Sequence, residues 1–436
     1  MTRLSIWLLM SVLLAATPAT AQDHSSHRTP GAMNLFPDRE ISGTAWQPDL
    51  TPMSGFHGDV GGWTFMVHAN VFAQYLYESG EVHRTSRQAG SINWFMGMLR
   101  RPAGRGRVGL RAMLSLEPWT IRGCGYPDLL ATGEVCGGDS LHDTQHPHEL
   151  FMELAADYER PLTDHLRLHG YVALAGEPAL GPPGFPHRAS AFPNPIAPIS
   201  HHWLDSTHIA FGVVTGGISG RAWKAEASAF NGREPDAART NLEFAALDST
   251  AVRLSVQPTR RLAVQVSAGH LHESEEGLGS QPRQDVDRAT VSVLYHRALG
   301  AQGLWATTLA YGANHETSVV PDGVVEGTTH AALVESRVTM PGGVHSWFGR
   351  FDLVGKPAHD LHVHEYITSV FTVGKLQIGY LRQLSPVKGW RPGIGAHLNL
   401  SVVPSLLAPR YGGRVIPGLG VYFNLQPALS AMPSSP

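Results

Sequence analysis

The chain has 436 residues, among them 47 Gly, 31 Pro, 2 Cys and 24 His, and its formal net charge at pH 7 is -3. A charge so close to zero excludes the strongly basic field that nucleic-acid binding requires, so we predict no nucleic-acid partner. Histidine is the compositional outlier, because its 24 residues approach the 33 Lys and Arg residues combined.

Residues 1–21 have the pattern of a secretory signal peptide. Arg3 supplies the positive region, residues 6–16 form an apolar run, and Ala19-Thr20-Ala21 fits the small-residue cleavage pattern. A membrane-anchoring helix is the alternative, but it needs about 20 apolar residues and Pro18 intervenes. We therefore predict export, with no transmembrane helix elsewhere in the chain.

The chain changes character at Trp63. Residues 22–62 are rich in Pro, Gly, His and polar residues without a period, and we predict an irregular, plug-like periplasmic segment. The stretch 247–270 is typical of the rest of the chain: Val252 and Leu254 alternate with Arg253, which is the period of a strand with two different faces. About sixteen such strands, give or take two, occupy residues 63–425. They are predicted near 63–77, 91–101, 107–116, 149–158, 165–175, 207–215, 221–230, the two halves of 247–270, 287–297, 303–312, 329–340, 344–354, 370–384, 393–403 and 415–425.

The connections between these strands alternate in length. Short turns such as 102–106 and 341–343 follow even strands. Long loops follow odd strands, near 78–90, 117–148, 176–206, 231–246, 271–286, 313–328, 355–369 and 404–414. An even strand count with short turns on one rim and long loops on the other is typical of an outer-membrane β-barrel. We predict an all-β, closed antiparallel transmembrane barrel, followed by a tail at 426–436.

The two faces of the strands favour a membrane barrel over a secreted β-sandwich. Strands of about ten residues can span a bilayer when tilted. Aromatic residues lie near strand ends, Trp94, Trp223 and Trp347 among them, and Ile92 to Met98 supply a predicted lipid-facing row. The opposite face carries both charge signs, as an aqueous lumen does. The predicted lumen charges are Arg107, Arg111, Glu153, Asp157, Arg167, Lys224, Glu226, Arg253, Glu335, Arg337, Arg350, Asp352 and Lys375.

Cys124 and Cys136 are the two cysteines, and they lie in the same long loop. In an oxidising compartment we predict that they form a disulfide, with two free thiols or a metal-binding pair as the alternatives.

The histidines gather in the long loops, on the predicted extracellular rim. The clusters HDTQHPHE, SHHWLDSTH and HDLHVHE mix imidazole with carboxylate, a combination that suits copper or zinc. Met66 and His68 share a luminal row that would suit copper. The candidate ligands are His142, His146, His148, His201, His202, His208, His359, His362, His364, Met66 and His68. The alternative is that the imidazoles are ordinary exposed side chains of polar loops. If the rim does bind a metal, we expect the metal to be released as the pH falls through about 6.5, because the histidines become protonated.

Three segments resemble a family of His-rich outer-membrane β-barrels often associated with copper or heavy-metal resistance regions. They read GGDSLHDTQHPHELFMELAADY, GEPALGPPGFPHRASAFPNPIAPISHHWLDSTHIAFGVVTGGI and FNGREPD, and the similarity extends over most of the mature chain. The resemblance implies the barrel and an association with metals.

The leading hypothesis is therefore a barrel channel with an aqueous lumen that binds or passes transition-metal ions. The alternatives are a general small-solute porin with incidental histidines, an adhesin-like barrel, and an outer-membrane hydrolase using Ser206 with His208 or Asp143 with His146. We predict no enzymatic activity and no required cofactor, and a bound transition metal, copper or zinc, is left open. The predicted partners are outer-membrane lipid, small ions or solutes and periplasmic metal-resistance proteins, with self-association left open.

Overall fold

The computed structural model describes residues 39–81, 84, 86–275, 283–320, 323–366 and 369–428. The side chains of residues 139, 275, 317–320, 323–325 and 364 are not described. The predicted signal peptide, the first part of the N-terminal segment and most of the predicted tail therefore lie outside the described residues.

Within the described residues, sixteen long antiparallel strands close into a barrel. They are β1 (Trp63–Glu78), β2 (Ser86–Ala103), β3 (Gly106–Leu114), β4 (Phe151–Pro161), β5 (Arg167–Gly176), β6 (Ala210–Ser219), β7 (Trp223–Phe230), β8 (Ser249–Thr259), β9 (Leu262–Glu275), β10 (Gln284–Ala298), β11 (Leu304–Val320), β12 (Gly323–Thr339), β13 (His345–Pro357), β14 (Val370–Gln383), β15 (Trp390–Val402) and β16 (Val415–Pro427).

The barrel closes between its last and first long strands. β16 pairs with β1 from Gly418 opposite Glu78 to Leu425 opposite Val71. The first residues of β1, Trp63–Val67, pair instead with the short strand Phe56–Val60, so β1 has a partner on this side along most of its length. The predicted closed barrel is thus confirmed, although β16 runs two residues past the predicted end at residue 425.

One predicted long loop is wrong. Residues 313–328 were expected to connect two shorter strands, but β11 continues to Val320 and β12 begins at Gly323. The pairing is continuous from Leu304 opposite Thr339 to Val320 opposite Gly323. Polar residues such as Asn314 and His315 gave this part of the hairpin the composition of a loop, whereas backbone pairing decides its structure.

The outside of the barrel is apolar along the strands. Exposed aliphatic and aromatic side chains occur on nearly every long strand, whereas the charged side chains that alternate with them face inward. Examples are Val252, Leu254, Val266, Leu309, Val334, Phe351, Ile378, Leu398 and Val421. A closed wall with an apolar exterior is the form in which strands can cross a bilayer. None of the helices in the described residues is long and apolar enough to cross a membrane.

The apolar row of β2 faces the lumen, contrary to the prediction. Ile92, Trp94, Met96 and Met98 are each 8% exposed or less. They pack against residues of the 177–209 loop, which lies inside the barrel. Because this part of the interior is filled by protein rather than water, an apolar row is stable there, and Trp94 does not belong to an interfacial girdle.

The 177–209 loop crosses the lumen and contacts the wall around most of its circumference. It contains the single turns Phe185–His187, His201–Leu204 and Ser206–His208. Its hydrogen bonds reach β1, β7 to β14 and β16. The wall residues involved are Asn70, Ser228, Arg253, Ser267, Arg288, Thr308, Asn314, Thr329, Glu335, Arg350, Asp352, Gln377 and Tyr422.

The described part of the N-terminal segment fills the opposite, short-turn end. It forms the small hairpin Glu40–Ser42 and Ala45–Trp46, so this segment is not wholly irregular as predicted. Trp46 is 4% exposed, with the Arg39 guanidinium carbon 4.7 Å and the Lys224 ammonium 5.1 Å from its ring centre. The hairpin turns at Gly43, whose φ is +49° and whose Cβ position lies 2.7 Å from the Glu177 Cβ, so a larger residue does not fit.

The loops at the long-loop rim also fold into the barrel. The 115–150 loop carries the hairpin Tyr126–Cys136 and Asp139–Gln145, and Cys124 and Cys136 form a disulfide in it. Residues of this loop, of the 177–209 loop and of the two last loops share a buried cluster that includes Leu129, Leu204, Leu361 and Leu407. Protein therefore enters the lumen from both ends, where the sequence predicted water.

Candidate functional site

Two of the inserted loops bring five histidines together inside the barrel. We call them the luminal histidine cluster. They are His146 and His148 from the 115–150 loop and His201, His202 and His208 from the 177–209 loop. Neighbouring ring centres are separated by 5.1 Å for His201 and His208, 5.4 Å for His148 and His208, 5.5 Å for His201 and His202, and 6.3 Å for His146 and His202. The sequence placed these residues on an exposed rim, whereas inward folding of both loops buries most of them.

Most of these imidazoles are held through Nδ1. His148 contacts Glu117 at 2.8 Å, His201 contacts Asp205 at 2.8 Å, and His202 contacts Glu234 at 2.9 Å. The Nδ1 atom of His208 lies 2.8 Å from the carbonyl oxygen of Asp205. A carboxylate or carbonyl on one ring nitrogen fixes the ring and leaves Nε2 as the metal-binding atom, which is the usual arrangement around metal-bound histidine.

Local backbone geometry explains two of these contacts. The single helical turn His201–Leu204 places His201 and Asp205 one turn apart, so the carboxylate reaches back to the ring. Gly133, with φ of +114°, lies against the His202 ring, because a Cβ there would be 2.2 Å from its Nε2 atom. The close approach of the two loops therefore depends on a glycine at residue 133.

Burial favours the neutral form of three of these imidazoles. Desolvation lowers the pKa of His201, and it lowers the pKa values of His146 and His208 well below the ordinary histidine value. Burial also raises the pKa of Glu134 to about 7, against the opposing charge of Arg239. Although burial alone would raise the pKa of Asp205, Arg188 and His201 hold it below its usual range. Neutral imidazole is the form that binds a metal ion.

A small cavity lies at one side of the cluster. It is lined by His146, His201 and His202 together with Glu134 and Glu234. About 30 Å³ is open to the centre of a water-sized molecule, which is room for one ion or one to two waters. Three imidazoles and two carboxylates around such a space form a ligand set that copper or zinc accepts.

The remaining loop histidines of the prediction lie elsewhere. His142 stacks against His362 with ring centres 3.9 Å apart, and His359 contacts Asp360 at 2.9 Å. His364 begins the turn His364–Tyr366, but its side chain is outside the described part of the chain. The structure thus separates His142 from its sequence neighbours, and within the described side chains of the HDLHVHE motif His359 and His362 contact different residues.

One compact group at the ends of β9 and β10 was not predicted from the sequence. Among the described residues, three metal-binding atoms lie mutually within 4.8 Å only at His270, His272 and Asp285. These side chains are exposed or half-buried, and exposed acidic groups commonly pair with histidine without a metal. The alternation of the two strands could have identified the group, because it places His270 and His272 on one face.

The predicted lumen charges lie inside the barrel wall, mostly in pairs. Arg350 contacts Glu335 at 2.7 Å, and Lys375 contacts Glu78 at 2.7 Å and Asp128 at 2.5 Å. The others are arranged around the N-terminal segment and the short-turn rim. They are Arg107, Arg111, Glu153, Asp157, Arg167, Lys224, Glu226, Arg253 and Arg337, whereas Asp352 accepts a hydrogen bond from Ser200 of the 177–209 loop.

The side chains considered for hydrolysis are engaged in other contacts. Ser206 Oγ accepts a hydrogen bond from Arg288 at 2.9 Å, while the His208 ring faces the Asp205 carbonyl. Asp143 pairs with Arg84 rather than with His146. Neither pair is arranged as a nucleophile with its base.

Comparison with known proteins identifies the fold. No protein-family model matches the chain, and no curated protein matches it. An anion-selective porin from Comamonas acidovorans is 11% identical with a TM-score of 0.50, and the alignment covers 84% of this chain and 99% of that porin. The Salmonella typhi OmpF in complex with daunomycin is 7% identical with a TM-score of 0.50, and the alignment covers 85% of this chain and 100% of that protein. The fold is that of outer-membrane porins. Together with the apolar exterior, it places the barrel in the outer membrane.

Proposed function

We propose that the protein is a plugged outer-membrane barrel that binds a divalent transition-metal ion, copper or zinc, at the luminal histidine cluster. The observation that carries the proposal is the cavity lined by His146, His201 and His202 with Glu134 and Glu234. Glu134 and Glu234 supply negative charge for a divalent ion, in a cavity that Arg233 also lines and where Arg239 already pairs with Glu134. The resemblance to barrels found near metal-resistance functions points the same way.

Ring spacing in the cluster suits a shared ion. Two imidazoles bound to one ion at the usual metal–nitrogen distance have ring centres at most about 6.3 Å apart. His201 and His202, at 5.5 Å, meet this limit, and His146 and His202, at 6.3 Å, lie at it. Small rotations of the side chains would direct the Nε2 atoms into the cavity. Phe185 packs against His201, which lines the cavity, and against His148 and His208, which do not.

Equilibrium dialysis of the full chain in detergent with Cu(II) or Zn(II) tests the proposal. We expect the triple variant H146Q/H201Q/H202Q to lose about 100-fold in affinity, since the cavity loses its three imidazoles. The matched control is H165Q, because His165 is an exposed histidine at a short turn, and its affinity should equal that of the wild type. Binding that survives in the triple variant, or that disappears in H270Q/H272Q instead, would show that the cluster is not the site.

The porin fold favours a second candidate function, the passage of small solutes with the histidines incidental. The 177–209 loop meets the wall largely through hydrogen bonds and ion pairs, such as Arg188 with Glu335 at 3.1 Å, and a polar interior is typical of porins. Planar-bilayer recordings separate the two functions. Steady channels that Cu(II) does not affect would favour a porin, whereas closed barrels or copper-dependent openings favour metal handling.

A further inference from the structure

A second pair of buried histidines lies between the wall and the N-terminal segment, outside the luminal histidine cluster. His68 comes from β1 and His187 from the 177–209 loop, and each is 7% exposed. Their ring centres are 6.0 Å apart, and Trp94 packs against both at 5.0 Å. A cavity borders the pair, with about 50 Å³ open to the centre of a water-sized molecule, and Met53 forms part of its wall.

The contacts of these rings leave ligand atoms unused. His187 Nε2 lies 3.1 Å from the thioether sulfur of Met113. A thioether can only accept, so Nε2 carries the hydrogen and Nδ1 of the neutral ring carries a lone pair. That Nδ1 atom is buried without a hydrogen-bond partner among the described residues, and so is Nε2 of His68. A buried polar atom without a partner calls for an explanation, and a bound ion or water is the usual one.

The residues around the cavity determine which charge and which kind of metal ion it can accommodate. The residues that line this cavity include no carboxylate but do include the guanidinium of Arg337. A divalent ion would be left uncompensated there, unlike in the cavity beside Glu134 and Glu234. Sulfur is abundant instead: the buried cluster around Trp94 contains four methionines, with a fifth packed against it. Imidazole with thioether is a soft ligand set that suits monovalent copper.

We propose that the His68–His187 cavity is a Cu(I) site. His68 Nε2 and His187 Nδ1 are the nitrogen ligands, and the thioether of Met53 is the sulfur ligand. The ring separation of 6.0 Å lies within the limit of about 6.3 Å for two imidazoles on one ion. Met113 orients His187 as a second-layer partner. The site goes beyond the proposed function, because it takes a different ion with different residues.

Anaerobic titration of the full chain in detergent with Cu(I), against the competing chelator bicinchoninate, tests the proposal. We expect H68L/H187L to lower Cu(I) affinity about 100-fold and M53L about 10-fold, as for loss of ligands or supporting groups. M340L is the matched control, since Met340 is an exposed methionine at a short turn, and it should bind as the wild type does. Copper-edge X-ray absorption should show nitrogen and sulfur neighbours in the wild type and lose the sulfur signal in M53L.

The histidine cluster provides the internal comparison. H146Q/H201Q/H202Q should keep Cu(I) binding while losing Cu(II) or Zn(II), so the failure of one proposal is distinguishable from the failure of the other. Wild-type protein that yields all its Cu(I) to the chelator would overturn the site. So would H68L/H187L binding Cu(I) like the wild type. If that double variant does not fold, the comparison of Cu(I) affinity between M53L and M340L decides. Equal affinities of these two variants would count against the proposal.

Discussion

Arg188 links the histidine cluster to the wall. Its side chain is fully buried, and it pairs with Asp205 of its own loop and with Glu335 of β12. Asp205 also accepts the Nδ1 contact of His201, so one guanidinium stabilises both a wall carboxylate and the carboxylate that orients a candidate ligand. Arg350 pairs with Glu335 as well, which leaves Asp205 more dependent on Arg188 than Glu335 is.

Replacing Arg188 with Met should destabilise the protein strongly. The change keeps most of the volume but leaves Asp205 buried without its cation, which typically costs about 3–5 kcal/mol. Urea unfolding in detergent measures this loss. R261M is the control, since Arg261 is exposed at a short turn and should change the free energy of unfolding by less than about 0.5 kcal/mol. Equal unfolding midpoints for R188M and R261M would contradict this account of Arg188.

At the scale of elements, the N-terminal hairpin is held by polar contacts with the wall and with the start of the inserted loop. Arg111 donates to the Gly43 carbonyl at 2.7 Å, and Arg253 donates to Thr44 Oγ1 at 2.8 Å. Ser42 donates to Glu177, the first residue of the 177–209 loop. Burial raises the pKa of Glu177 to about 8, although Arg253 opposes the shift. The two plugging elements therefore meet at a titratable group.

Raising the pH should weaken the fold through Glu177. Its folded pKa of about 8 exceeds the ordinary value of 4.5, so the folded state binds more protons than the unfolded state between these values. The stabilising contribution of protonated Glu177 is therefore fully present below about pH 4.5 and is lost as the pH rises through about 8. Unfolding at pH 5 and pH 9 should show a fall on the order of a few kcal/mol that E177Q reduces. Parallel pH profiles for the two proteins would refute the role of Glu177.

The strands could be predicted from sequence because alternation is a local signal. Leu254 and Arg253 point to opposite sides of the strand because of strand geometry alone. The apolar side faces outward because lipid surrounds the barrel. The sequence prediction put the apolar row of β2 on the lipid side, because alternation was interpreted on the assumption that water fills the lumen. Trp94 and Met96 meet protein in the lumen, and only the position of the 177–209 loop shows that.

The site could be predicted only in part. The clusters around His146 and around His201 are visible in the sequence, but their meeting depends on two long loops folding inward, and irregular segments carry no periodic signal. The pairing of His68 with His187 joins a strand to a loop more than a hundred residues away. His187 stands alone in its segment, so no local pattern distinguished it.

At the scale of the whole molecule, the wall and its contents form one hydrogen-bonded unit. The 177–209 loop bonds to β1, β7 to β14 and β16, while the N-terminal segment occupies the short-turn end. A sixteen-stranded wall alone is wide enough for an aqueous channel. The inserted segments, and not the wall, therefore determine how much of the lumen is open.

Removing the inserted loop should open the barrel. We expect the wild type and a deletion of residues 39–55 to show no steady conductance in planar bilayers, because the 177–209 loop still crosses the lumen. Replacing residues 183–205 with a short Gly-Ser linker should give stable channels of porin type. Circular dichroism and heat-dependent gel mobility confirm that each variant keeps its barrel. Steady conductance in the wild type, or none in the loop variant, would contradict this assignment of closure.

The chain order of the inserted loop constrains how the molecule can be built. The loop leaves the wall after β5, yet it bonds to Asn70 on β1 and Tyr422 on β16, the two strands whose pairing forms the final seam. Once that seam is zipped, a segment of more than thirty residues would have to enter through an opening that its own neighbours crowd. We therefore expect the wall to close around an interior that is already in place, so variants that disrupt the interior should assemble poorly.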